Sequence, residues 1–278
     1  MVELKDLTEL QPRIRIGHNI RISDHHWRPT LEEIRFAKRA GFAGVQFPDR
    51  KTGLLEEILG ASFAEVRDAL EESRLELALE IVPLELEQNG LTPMKLLERN
   101  LPAIQGLGIK LVHWHLVTRE PASEIPRLED WLEKELATGV QIARDAGFKI
   151  AFEHNDKNPL FSSPQACANM LERVPGLGFV CDLNHFPADQ LPDYVALAPR
   201  ITMLHISDSP LPELNHHRPI GLGSIDFQTY FDAFLEHGFA GMGILEIGGQ
   251  PWSGGYGQDT DDALEDSLRR LTKLHVNP

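Results

Sequence analysis

The chain has 278 residues, of which 42% are hydrophobic and 25% are charged, and these values are ordinary for a globular protein. Its formal net charge of −15 argues against a nucleic-acid partner, because such a protein needs a basic surface for the phosphates. No apolar run approaches the roughly 20 residues of a membrane span, so no membrane partner is expected. The first residues lack the pattern of a secretory signal, and Cys167 and Cys181 form no disulfide framework, which favours a reducing, cytoplasmic location.

Short apolar segments alternate with amphipathic segments along the chain. The apolar segments predict eight strands, at 14–18, 43–47, 75–82, 109–116, 148–153, 178–182, 201–207 and 243–247. The segments between them have helical periodicity, and several begin and end with typical signals. Thr92 and Ser163 each precede a proline, as helix N-caps do, and Gly41 and Gly147 stand where a helix is expected to stop.

The strict alternation of eight strands with helices predicts parallel pairing. There is no composition shift and no long linker, so residues 1–278 are expected to form one domain. Eight such units most simply close into a (β/α)8 TIM barrel, a single-domain α/β fold of about 250 residues. The alternative is an open doubly wound sheet, but the first strand leads into IGHNIRIS and not into the GxGxxG loop of that fold.

Acidic and histidine side chains stand at the ends of the last four predicted strands. Glu153 and Asp182 end strands five and six, and His205 and Glu246 lie near the ends of strands seven and eight. TIM-barrel active sites lie at this end of the strands, so the four side chains are expected to converge. Converging carboxylates need a neutralising charge. Oxygen ligands with one imidazole suit a divalent ion such as Mn²⁺, Mg²⁺, Co²⁺ or Zn²⁺.

Each of these residues has a simpler interpretation when it is taken alone. A strand-end glutamate can cap the next helix or pair with Arg218, and Asp182 can be a helix N-cap. A single histidine such as His205 is more often a hydrogen-bonded core residue than a ligand. Four such residues at the ends of consecutive strands favour a site over these separate explanations.

The motifs AFEHN, CDLNH, LHISDSP, HHRPIGLGSIDF and GILEI resemble those of the xylose isomerase-like superfamily of sugar isomerases, epimerases and related barrel enzymes. The resemblance covers almost the whole chain. It implies one divalent metal ion held by Glu153, Asp182, His205 and Glu246, with the two glutamates also acting as acid and base. It further implies that His185 hydrogen-bonds the substrate oxygen nearest the metal and that Arg218 contacts the substrate's hydroxyl or carboxylate end. Members often form oligomers, so a homo-oligomer is expected by analogy.

The activity that the resemblance implies is that of a metal-dependent isomerase or epimerase of a small keto sugar or hydroxy-keto compound. A divalent ion would polarise a carbonyl and stabilise the enediolate that forms when a glutamate removes an α-proton. Return of the proton to the neighbouring carbon gives isomerisation, and return to the opposite face gives epimerisation. Loss of a β-hydroxyl gives dehydration, so a dehydratase of a cyclic polyol or a shikimate-like keto acid stays open as an alternative.

Two further alternatives belong to other classes. One is a zinc phosphodiesterase similar to endonuclease IV, in which a loop aspartate and histidine help to build a multi-metal site. Aligned on the following Ile220 and Gly221, His217 matches that histidine, but Asn215 stands in place of the aspartate, which weakens this interpretation. The other is a non-catalytic barrel that keeps the four residues only as a polar plug.

Several other residues near the predicted site have two interpretations each. His113 and His115 share one face of strand four, and His115 either binds substrate or a second ion, or supports the core. Glu80 either joins a polar network inside the barrel or faces a helix. His216 lies in a loop, where histidines are usually only exposed.

The glycine-rich stretch GGQPWSGGYGQD follows strand eight directly and carries Trp252 and Tyr256. Its position above the predicted site favours a lid that closes over a small sugar and excludes water. On this interpretation Trp252 contacts substrate. The alternative is an ordinary surface loop.

Overall fold

The computed structural model describes residues 14–21, 26–49, 53–85, 92–155 and 159–274, without the side chains of residues 82–85. The strands in this part of the chain are β1 (Arg15–Asn19), β2 (Gly44–Pro48), β3 (Glu76–Glu85), β4 (Leu111–Val117), β5 (Lys149–Glu153), β6 (Gly178–Asp182), β7 (Ile201–Ile206) and β8 (Met242–Leu245). All eight lie within a few residues of their predicted positions. Because β8 ends at Leu245, Glu246 follows the strand directly.

The helices between the strands are α1 (Thr30–Ala40), α2 (Glu56–Leu59), α3 (Phe63–Ser73), α4 (Pro93–Leu107), α5 (Ile125–Ala146), α6 (Pro164–Arg173), α7 (Leu191–Val195), α8 (Phe227–Glu236) and α9 (Asp261–Lys273). The predicted caps are confirmed. The Thr92 and Ser163 side chains accept from backbone N–H groups in the first turns of α4 and α6. Gly41 and Gly147 follow α1 and α5 in the left-handed conformation, with φ of 92° and 79°, where a side chain would be strained.

The strands close into a barrel in the order β1 to β8, and all neighbouring pairs are parallel. The predicted (β/α)8 TIM barrel is therefore confirmed, and the open doubly wound sheet is excluded by the pairing of β1 with β8. Within the described ranges, no helix combines the length and the apolar character that crossing a membrane requires.

The interior of the barrel is filled by side chains in layers. An apolar layer near the N-terminal ends of the strands consists of Ala78, Ala151, Val180, Met203, Met242 and Ile244. Side chains two positions apart on a strand share a face. For five of these six residues, the residue two positions further along the chain, towards the C-terminal end of the strand, is polar. Those residues are Glu80, Glu153, Asp182, His205 and Glu246. The outer faces of the strands pack instead against the helices, as Trp114 and Cys181 do.

Candidate active site at the barrel mouth

The four residues predicted to bind a metal ion meet at the C-terminal ends of the strands, which we call the mouth. Glu153, Asp182, His205 and Glu246 each offer one ligand atom, and these atoms lie within 4.8 Å of one another. His205 stands in the middle of the group, with Nδ1 3.0 Å from Glu153 Oε1 and 3.2 Å from Glu246 Oε2. Asp182 reaches the same place because it pairs with His205 across β6 and β7.

The charges in the mouth compensate one another. Burial raises the pKa of Glu246, but His205 and His217 bring it down to about 2. Burial also raises the pKa of Glu153, but His115 and His205 hold it well below its usual value. For His205 the signs are reversed: burial lowers its pKa, but Glu153 and Glu246 hold it well above its usual value. Protonated imidazoles are one way to compensate these carboxylates, and a divalent cation is another.

His115 lies beside Glu153, with Nε2 3.1 Å from Oε2, because the two residues pair across β4 and β5. Burial lowers the pKa of His115, but Glu153 raises it to about 9. Glu80 behaves in the opposite way, since burial together with Glu246 and Glu153 raises its pKa to about 8. The structure places Glu80 in the polar network inside the barrel, one of the two interpretations its sequence position allowed.

Gln46 on β2 is the residue that sequence reasoning missed. Its Oε1 accepts hydrogen bonds from His113 Nε2 and His205 Nε2, both at 3.0 Å, and its Nε2 donates to Glu80 Oε2. Because the N–H at Nε2 of His205 donates to Gln46, Nδ1 faces the carboxylates, and it offers a lone pair to a ligand once it has lost its own proton. A polar residue inside the apolar run GVQFP is the signal that could have identified it.

Asp182 provides the test of whether a metal ion fits. Its Oδ1 accepts from the Asn184 backbone N–H at 2.8 Å, but its Oδ2 is buried and accepts no hydrogen bond, although His185 Nε2 lies 3.3 Å away. A buried carboxylate oxygen without a donor is costly unless a cation faces it. With three carboxylates and one imidazole converging on a small volume, the donor set fits a hard or borderline divalent ion.

A second group of possible ligands consists of Asp182, His185 and His217. His185 Nε2 lies 3.3 Å from Asp182 Oδ2, and its Nδ1 donates to the His154 carbonyl at 3.1 Å, which fixes the ring. The side-chain oxygen of Asn215 accepts from His217 Nε2 at 2.9 Å. Where a multi-metal nuclease is expected to have an aspartate, Asn215 therefore serves to hold His217.

A cavity of about 300 Å³ opens above these residues. His115, His185 and Trp252, three of the residues predicted to contact substrate, line it together with Asn19, Glu80 and Glu246. Asn19 also donates to Glu246 Oε1 at 3.1 Å. Trp252 is 64% exposed, so its ring stands at the rim, where a closing loop would bring it over the cavity.

Arg218 is not among the described residues that line this cavity. Its main chain pairs with Asp208, and its Nη1 donates to the Leu222 carbonyl at 3.2 Å. Asp208 does not line the cavity either, and its carboxylate accepts from the backbone N–H groups of Gly221, Gly223 and Ile225. His216 likewise points outward, to Glu213 at 3.0 Å.

The fold and the mouth together define a TIM barrel with a carboxylate-rich centre at the C-terminal ends of its strands. The family model described as xylose isomerase-like TIM barrel matches residues 34–274, so the chain belongs to this family. A comparison with curated proteins gives no significant match.

Solved structures share the fold at low sequence identity. The 3-keto-D-glucoside 4-epimerase YcjR from E. coli superposes with a TM-score of 0.73 at 19% identity, covering 94% of this chain and 100% of that one. D-allulose 3-epimerase from Methylomonas sp., in complex with D-allulose, superposes with a TM-score of 0.75 at 18% identity, covering 94% of this chain and 97% of that one. The IOLI protein with a bound zinc atom superposes with a TM-score of 0.72 at 18% identity, covering 95% of this chain and 98% of that one. At such identities the similarity establishes the shared fold.

Proposed function

We propose that this protein is a divalent-metal-dependent isomerase or epimerase of a small keto sugar or a related hydroxy-keto compound. The observation that carries the proposal is the convergence of Glu153, Asp182, His205 and Glu246 on one point beneath a small cavity. Such a cavity suits a ligand of a few carbon atoms. The sugar epimerases among the structural relatives support the same class of substrate.

Glu153, Asp182, His205 and Glu246 would hold the ion, with the Nδ1 atom of His205 and one oxygen from each carboxylate as ligands. When bound, a divalent ion polarises a substrate carbonyl and stabilises the negative charge that develops on its oxygen. Mn²⁺, Mg²⁺, Co²⁺ and Zn²⁺ all accept this donor set, and zinc is the metal in the IOLI structure.

Glu153 and Glu246 are the proposed acid and base. They approach His205 from two different strands, so a substrate above the centre has a carboxylate on either side. Nearby imidazoles lower the pKa of both carboxyls, which favours the ionised form that removes a proton from carbon. An epimerase inverts the carbon when one ionised glutamate takes the proton and the other, protonated beforehand by solvent, delivers a proton to the opposite face. Exchange with water then resets both carboxyls.

His185, His115 and Trp252 are the proposed substrate contacts within the cavity. His185 is held by its bond to the His154 carbonyl, and its Nε2 makes no hydrogen bond and lies 3.3 Å from Asp182 Oδ2, at the side of the centre that the substrate would approach. Trp252 would cover the sugar when the loop after β8 closes, which excludes water from the intermediate.

The test is proton exchange in deuterated water. The protein is incubated with Mn²⁺ and with candidate substrates such as D-allulose, related ketoses and a 3-keto-D-glucoside, and NMR follows deuterium entry and new products. We expect deuterium at the carbon next to the carbonyl, and at least a 1000-fold loss of rate in Glu153→Gln and in Glu246→Gln, since each change removes a proton-transfer group and a ligand.

The matched control is Glu236→Gln, which makes the same chemical change in an exposed residue at the end of α8. It is expected to keep the wild-type rate. If exchange continues unchanged in both Glu153→Gln and Glu246→Gln, the proposed mechanism is wrong. A product that has lost water would identify a dehydratase instead.

A further inference from the structure

A second and larger cavity, of about 790 Å³, lies at the opposite end of the barrel. We call it the basal cavity. Its wall includes the residues with which several strands begin: Arg15 starts β1, Glu76 starts β3 and Lys149 starts β5. It shares none of its lining with the cavity at the mouth, so it is a separate site.

The basal cavity is basic, although the chain as a whole is strongly acidic. Its lining carries two acidic residues, Glu71 and Glu76, against six basic ones, which are Arg15, Arg67, Arg74, Lys110, Lys149 and Arg200. The complete chain has 42 acidic and 27 basic residues, so the cavity lining has the opposite charge balance from the chain as a whole. An excess of positive charge around a concave surface attracts anions.

The basic groups are only partly neutralised by the protein itself. Arg15 pairs with Glu76, and Arg200 donates to the Leu177 carbonyl at 2.8 Å. Among the described residues, none gives the side chains of Arg74, Lys110 or Lys149 a hydrogen bond or an ion pair. These three cations therefore remain available to a ligand.

Lys110 and Lys149 are held close together by the sheet. The Lys149 N–H donates to the Lys110 carbonyl at 2.9 Å, so the two residues are neighbours on adjacent strands. Both residues line the basal cavity, and no described residue gives either ammonium group an ion pair. An anion in the cavity can therefore be approached by both lysine side chains.

The floor of the basal cavity is apolar. It is formed by Ala78 and Leu111 from β3 and β4 and by Met203 and Met242 from β7 and β8. These residues belong to the apolar layer of the barrel interior or pack against it. A basic rim over an apolar floor is suited to a molecule with an oxyanion at one end and a hydrocarbon body at the other.

We propose that the basal cavity binds a small organic anion, with its phosphate, sulfonate or carboxylate group between Lys110, Lys149 and Arg74 and its apolar body on Met203 and Met242. The site is independent of the chemistry at the mouth. Since the floor lies one layer below His205 and Glu80, an occupant would sit on the opposite side of the layer that supports the mouth.

The test uses 8-anilinonaphthalene-1-sulfonate, a fluorescent probe with one sulfonate and an aromatic body. We expect saturable binding of one probe per chain, weakened by salt and displaced by inorganic pyrophosphate. Lys110→Glu and Lys149→Glu should each weaken binding at least tenfold, while Lys134→Glu, the same change at an exposed position of α5, should leave it unchanged. Thermal unfolding verifies that each variant is folded.

Two results would overturn the proposal. One is binding that is equally strong in Lys110→Glu, Lys149→Glu and Lys134→Glu, which would mean that these ammonium groups do not hold the sulfonate. The other is that Trp252→Ala loses binding while the lysine variants keep it, which would place the probe at the mouth. If Lys110→Glu or Lys149→Glu does not fold, it is replaced by Lys110→Gln or Lys149→Gln, which removes the charge without reversing it. These glutamine variants are also expected to weaken binding of the probe.

Discussion

Gln46 controls the hydrogen bonding of the two buried histidines beneath the mouth. A single carbonyl oxygen accepts from both His113 and His205, so the Nε2 atom of each ring carries a proton. His113 is neutral, because burial and the nearby His205 lower its pKa to about 3. The amide therefore orients His205 without adding charge, and this orientation directs Nδ1 at the proposed position of the metal ion.

Replacing Gln46 with methionine is expected to weaken binding of Mn²⁺ by about 10- to 100-fold, because His205 loses the acceptor that fixes its tautomer. Isothermal titration calorimetry measures the change. Gln46→Glu keeps an acceptor at the same place and is expected to bind the ion more tightly than Gln46→Met. Equal affinities in wild type and Gln46→Met would show that Gln46 does not position the ligand.

The protonation of His205 links metal binding to pH. In the metal-free protein the carboxylates hold its pKa well above the usual value, so it is protonated at neutral pH. A metal ion needs the unprotonated Nδ1, so binding must release this proton, and affinity should rise about tenfold per pH unit below that pKa. Calorimetry of Mn²⁺ binding in two buffers with different ionisation enthalpies counts the protons. Binding heats that are identical in both buffers would contradict the predicted release.

At the scale of the elements, a buried charge network joins β1, α1 and α9. Arg21, just beyond β1, is 2% exposed and donates to the carboxylate of Glu33 on α1, which is fully buried. The same guanidinium donates to the Asp259 carbonyl at 2.6 Å and to Asp261 at 2.9 Å. It thereby anchors the far end of the loop that begins at Glu246 and carries Trp252.

Arg21→Met is expected to destabilise the metal-free protein by about 3–5 kcal/mol, because it removes two hydrogen bonds from the buried Glu33 carboxylate and leaves that charge with only His18 and Arg28. Urea unfolding measures this loss. Arg28→Met is the matched control: Arg28 also pairs with Glu33, but its side chain is 22% exposed, so a loss of about 1 kcal/mol is expected. Equal losses in the two variants would show that the burial of Arg21 is not what matters.

The strands and the polar residues near their ends were predictable from the sequence, because both can be recognised from a short stretch of chain. An apolar run predicts a strand, and barrel active sites lie at the C-terminal ends of strands. Glu153, Asp182, His205 and Glu246 each follow an apolar run, and that pattern places them. The role of Gln46 was not predictable, since it depends on contacts with β4 and β7. The orientation of Arg218 depends in the same way on its pairing with Asp208.

At the scale of the whole molecule, the two ends of the barrel differ in charge and in chemistry. The C-terminal end concentrates carboxylates and imidazoles around one point, and the N-terminal end surrounds a larger cavity with lysines and arginines. The apolar layer, which includes Met203 and Met242, separates the two ends. The proposed cation site and the proposed anion site thus lie on opposite sides of one core.

The proposed chemistry depends on an ion held by the four residues of the mouth, and native mass spectrometry of the protein titrated with Mn²⁺ tests this directly. We expect one ion per chain in the wild type and none in Asp182→Ala, with the matched exposed variant Asp193→Ala on α7 still binding one. No bound ion in the wild type, or undiminished binding in Asp182→Ala, would contradict the proposal.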